Sequence, residues 1–104
     1  MADEREARYQ QIIQQFPDSP MGYFSLGRYY LEQARFAEAV ATLTRCTELD
    51  RQYAAALMSL GDALAGNDQI EQARDAFARA REAALAQNHP SLAEEIDERV
   101  ADLD

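Results

Sequence analysis

Residues 22–40 read GYFSLGRYYLEQARFAEAV and residues 56–77 read ALMSLGDALAGNDQIEQARDAF, so Ser-Leu-Gly recurs after 34 residues inside stretches of helical periodicity. A glycine within a helix costs roughly 0.5–1 kcal/mol relative to alanine, and a chain that places one twice at a fixed interval needs the missing side chain. Shifting the sequence by 34 also brings Leu26 onto Leu60, Phe36 onto Ile70, Glu38 onto Gln72, Ala39 onto Ala73, Leu43 onto Phe77 and Cys46 onto Ala80. Small residues match small and large match large, as the core of a repeated unit requires. The pattern predicts that Gly27 and Gly61 let the second helix of each hairpin come close, with Ala39 and Ala73 opposite them. Leucine at position 27 would then overpack the contact, whereas alanine would be tolerated.

Apolar spacing and turn residues predict six helices. The first covers Ala2 to Gln15 and breaks at Pro17-Asp18-Ser19-Pro20, where Ser19 can cap a second helix with Pro20 at its first position. That helix runs to about Gln33, and a third covers about Phe36 to Asp50. The fourth, about Tyr53 to Ala65, ends at Gly66-Asn67, a favourable C-terminal pair. Asp68 and Glu71 suggest a capping box for the fifth, about Gln69 to Ala86. The sixth follows Asn88-His89-Pro90 from about Ser91 to Leu103, with Ser91 and Glu94 as a second candidate capping box. Short connections make successive helices antiparallel neighbours.

The unit resembles the tetratricopeptide repeat, a helix–turn–helix of pattern W-x2-L-G-x2-Y…A-x3-F…P. Tyr23, Leu26, Gly27, Tyr30, Ala39 and Leu43 take the matching places in repeat one (20–53). Leu57, Leu60, Gly61, Leu64, Ala73 and Phe77 take them in repeat two (54–87). No Trp occurs, and Arg51 and Leu85 stand where the terminal proline belongs. Residues 1–19 resemble the second helix of a preceding unit, and residues 88–104 the family's lone closing helix, whose apolar stripe fits after a one-residue insertion near Asn88. The resemblance implies a single all-α domain, a right-handed α-α superhelix of about six helices.

Composition removes several kinds of work. Nineteen acids against ten bases, all arginine, give a formal charge of −9, without the basic stripe that nucleic acid requires and unsuited to an anionic membrane. The absence of lysine removes Schiff-base chemistry. Cys46 and His89 are the only residues of their types, the first at an alanine-like core position and the second in a loop, so neither nucleophilic catalysis nor a cofactor is expected. Glu94, Glu95, Asp97, Glu98 and Asp102 surround most of a helix without a calcium-type loop and read as a solvated face rather than a metal site. One cysteine, no signal-like start and no apolar stretch of about 18 residues fit a cytoplasmic protein.

The first helix of repeat one is apolar on two faces. Tyr23, Leu26 and Tyr30 form one stripe, and Met21, Phe24, Arg28 and Leu31 a second, matched in repeat two by Ala55, Met58, Asp62 and Ala65. Such a helix is buried twice or uses one face for binding. The resemblance implies that the second face lines a concave groove for peptides or partner helices, with Met21, Phe24, Arg28, Leu31, Met58, Ser59 and Asp62 as its candidate residues. The bland alternative is packing between adjacent helices. Some members grip acidic chaperone tails with a clamp of Lys, Asn and Arg; Phe24, Arg28, Ser59, His89 or Pro90, and Ala93 occupy those places here, and only Arg28 suits. The expectation is a non-catalytic module for a protein or peptide partner, as a monomer or weak homodimer. The alternative is a structural subunit that self-associates through its groove or array ends.

Overall fold

A computed structural model describes residues 3–104. Six helices follow one another: α1 (Glu4–Gln15), α2 (Pro20–Glu32), α3 (Phe36–Leu49), α4 (Ala54–Gly66), α5 (Ile70–Ala86) and α6 (Pro90–Ala101). They lie within two residues of the expected bounds, except that Ala2, the expected start of the first helix, lies outside the described residues. Each helix packs on its sequence neighbours, and α2 also meets α4 while α4 meets α6. No such contact joins α1, α3 and α5 to one another. Helices α2, α4 and α6 therefore crowd together on the inner side of the curve, and the other three splay on the outer side, as in a solenoid of hairpins.

The core runs along the seam between the two layers. Phe77, Leu43, Leu57, Ile96 and Cys46 are its largest fully buried side chains. The two repeated glycines sit on this seam. A Cβ on Gly27 would stand 2.5 Å from Cγ and Cδ2 of Leu43, and one on Gly61 would stand 2.5 Å from Cε1 of Phe77. The opposing residues are thus the large ones, Leu43 and Phe77, rather than Ala39 and Ala73. The glycine is a socket for the side chain one turn further along the facing helix. This overturns the expected tolerance of alanine, since even one methyl group must displace a side chain with no free space around it.

Three turns share one construction. The Arg35 N–H donates to the Tyr30 carbonyl (2.9 Å), Gln69 N–H to Leu64 (2.8 Å) and His89 N–H to Ala84 (2.8 Å). The residue before each donor, Ala34, Asp68 and Asn88, is left-handed, with φ of 56°, 61° and 60°. These are Schellman-type ends. Gly66 is accordingly not the left-handed residue the sequence suggests; it is the last residue of α4 and lies close against the Phe36 ring. Neither capping box forms: Gln69 and His89 take the N-cap positions without side-chain capping bonds to their helices, and Asp68 and Ser91 fall on either side of them. Ser19 does cap α2, its Oγ accepting from the Met21 N–H at 3.3 Å. Because the α5–α6 turn is built like the turns inside the repeats, α6 begins 36 residues after α4, against 34 between α2 and α4. The insertion is therefore two residues, not one.

Candidate functional site

Helices α2, α4 and α6 begin at Pro20, Ala54 and Pro90, and the sixth residue after each start is a buried aliphatic, Leu26, Leu60 and Ile96. The same side of each helix thus faces the core, and the opposite sides share one concave surface. Met21 stands there with 59% of its surface exposed. The Tyr53 hydroxyl points to its sulfur at 3.8 Å, and the Tyr53 ring lies 4.8 Å from the Phe24 ring at 37°. The Arg28 guanidinium covers Phe24 from 5.7 Å. Between the helix starts opens a recess of about 560 Å³ lined by Met21, Tyr53, Ala54, Ala55 and Leu92 among others. A smaller recess of about 250 Å³ lies against α1, where Tyr9, Phe24, Arg28 and Tyr29 meet.

Of the seven expected groove residues, Met21 and Arg28 are exposed, and Phe24, Leu31 and Met58 are half-buried and lean on the core. Ser59 is only 6% exposed, so it offers little to a ligand. Asp62 is tied to Arg99 of α6, whose Nε lies 2.9 Å from Oδ1 and 3.1 Å from Oδ2. Burial raises the Asp62 carboxyl above its ordinary value in spite of that partner. Burial works against the Arg99 charge as well, and pairing with Asp62 outweighs it and raises the guanidinium above its ordinary value. Tyr53 and Leu92 are lining residues that the repeat pattern did not single out. An apolar ring just before α4, one turn of the array from Phe24, was the available signal.

Cys46 is buried, its Sγ lies 3.4 Å from the Pro20 carbonyl oxygen, and burial pushes its thiol up to about 11. Among the described residues no three His, Cys, Asp or Glu side chains converge as metal ligands, and no helix is long and apolar enough to cross a membrane.

A solenoid of helix hairpins with an open inner face defines a class of proteins whose members present an extended concave surface. The chain belongs to the tetratricopeptide repeat family, whose model matches residues 3–54 and 24–93. Its fold is similar to the TPR2B domain in the TPR2B-domain:pHsp70 complex of yeast Sti1, with a TM-score of 0.90 and 22% identity over 94% of this chain and 78% of that one. It is also similar to the solution structure of protein BPP2914 from Bordetella parapertussis, with a TM-score of 0.83 and 25% identity over 99% of this chain and 89% of that one. No curated protein matches the chain.

Proposed function

We propose that this chain is a non-catalytic interaction module that holds a peptide or helix of a partner protein in its concave groove, on Met21, Phe24, Arg28, Leu31 and Met58. The observation that carries the reading is the exposed Met21 beside an open, apolar recess shared by all three inner helices. Methionine supplies adaptable apolar contact, and a groove between helices is a common seat for extended and helical peptides. The similar Sti1 domain is named for a complex with pHsp70. Here Phe24, Ser59 and Ala93 stand near the places of that family's carboxylate clamp and leave Arg28 alone, so acidic chaperone tails are poor candidates.

Phe24 and Met58 lean on the core, so charging them would disturb folding as well as binding. Met21 is the cleaner probe, because glutamate in the first turn of α2 would point into water and favour the helix dipole. Peptides selected from a random display library on the full chain are expected to lose binding to Met21→Glu, at unchanged melting temperature. Undiminished binding would move the site off this face. A concentration-dependent mass in light scattering, lost in Met21→Glu, would instead make the groove a self-association surface.

A further inference from the structure

Superposing the inner helices by their starts places positions 24, 58 and 94 in one row across the groove and positions 28, 62 and 98 in another. The first row reads Phe24, Met58, Glu94, and the second reads Arg28, Asp62, Glu98. The middle charge is neutralised internally, since Asp62 holds Arg99, which also reaches Glu95 at 3.3 Å. Its two ends are not. Arg28, Glu94 and Glu98 are exposed and make no ion pair with the described residues. Six of the ten arginines do pair with carboxylates. The groove thus runs from an uncompensated cation on α2, over apolar Phe24 and Met58, to uncompensated anions on α6.

We propose that the groove selects a partner segment with an acidic side chain at one end, apolar side chains between, and Arg or Lys at the other. It lies with its acid on Arg28 and its base on Glu94 and Glu98. This rests on the groove reading above and adds the ligand's charge order and direction. Adjacent helix axes are about 8–10 Å apart, so the α2 to α6 span is roughly 16–20 Å. An extended peptide rising about 3.3 Å per residue crosses it in about six residues, and a helix rising 1.5 Å per residue needs about twelve. Opposed charges at that spacing steer the segment and reject its reversed-charge counterpart more than they add affinity.

The test uses the peptides selected on the full chain. Acid and base on either side of an apolar pair, about six or about twelve residues apart, are the expected consensus. Exchanging the two charges in a selected peptide is expected to weaken binding at least tenfold. The double variant Arg28→Glu with Glu98→Arg, its fold checked by circular dichroism, is expected to invert that preference. A consensus without this charge order, or a double variant that keeps the original preference, overturns the proposal. If those peptides still depend on Met21, the groove reading survives that outcome. If no peptide is selected, or binding ignores Met21→Glu, both readings fall.

Discussion

The two end helices are attached in opposite ways. Helix α1 buries no residue outright. Tyr9 and Ile13 lean on the core from a half-buried position, and Glu6 joins it to the first hairpin. The Glu6 carboxylate accepts from the Tyr30 hydroxyl at 3.0 Å and from the Arg35 guanidinium at 2.9 and 3.2 Å, while Arg35 also grips Glu38. Helix α6 buries Ala93 and Ile96, and its ion pairs to Arg81 and Asp62, with that of Asp104 beyond its end to Arg74, decorate a contact that packing already makes. One end is held largely by directional, half-buried bonds beside a light apolar contact, and the other mainly by excluded water. The difference teaches that net acidity on a helix says nothing about how firmly it is docked: the segment with six acids and one base, residues 90–104, carries the more enclosed interface.

The largest effect expected from this contrast is loss of α6. Ile96→Ala removes a side chain with no exposed surface, and such truncations cost about 2–5 kcal/mol against a total stability of about 5–15 kcal/mol. A large fall in the urea midpoint is expected, and deletion of residues 90–104 should abolish the cooperative transition or cause aggregation. A truncated chain as soluble and cooperative as the parent would make α6 a displaceable lid and erase the contrast.

The next effect lies at the other end and is local. Arg35→Ala is expected to lower the melting temperature only slightly, because the half-buried pair it breaks with Glu6 ties down an end helix that can open by itself, and to speed amide exchange through residues 4–15 as α1 opens on its own. Acid should do the same. Hydrogen bonds from Arg35 hold the carboxyls of Glu6 and Glu38 below their ordinary values. A carboxylate so depressed stabilises the fold above its unfolded pKa and loses that contribution as pH falls through the folded one. Asp62, raised by burial, has the opposite sign: its titration favours folding as pH falls. Exchange measured at pH 7 and near pH 4, corrected for intrinsic rates, should therefore show α1 losing protection before α6. If α6 opens first, the assignment of polar and apolar ends is reversed.

The repeat made most of the fold legible because a solenoid depends on local spacing. Leu26, Leu43, Phe77 and their matches identify one another across 34 residues without knowledge of any distant contact. What stayed hidden depends on geometry between elements. Gly27 could be seen to need space, but whether Ala39 or Leu43 fills that space depends on how the facing helix is rotated. Asp62 could be placed on the groove row, whereas its partner Arg99 lies beyond the two-residue insertion that shifts the α6 register. Met21 and Phe24 were visible as a second apolar stripe, but the Tyr53 ring that stacks on Phe24 is the last residue of the same unit, 29 positions along the chain, and has no aromatic counterpart 34 residues earlier, where Ser19 holds that place. Turn chemistry misled at Gly66 because a helical glycine against an aromatic ring and a glycine at a helix end look alike in sequence.

The smallest effect concerns the turns that aim the two ends, and it can be measured as a series. Ala34 immediately precedes Arg35, the residue that holds α1, and Asn88 lies two residues before α6; both adopt the same left-handed conformation, as does Asp68. The Cβ of an L-residue makes that conformation cost roughly 1–2 kcal/mol, but Asn and Asp visit it far more readily than Ala. Glycine removes the cost while gaining freedom in the unfolded chain, an offset of about 0.4–1 kcal/mol. Ala34→Gly is therefore expected to stabilise the protein by up to about 1 kcal/mol, read as a higher urea midpoint at constant m value. Asp68→Gly and Asn88→Gly should gain less or nothing. That ordering would locate turn strain beside the weakly docked helix, where relieving it also slows exchange in α1. Equal gains at all three sites would show instead that the turns are interchangeable and that the asymmetry of the two ends resides wholly in their packing.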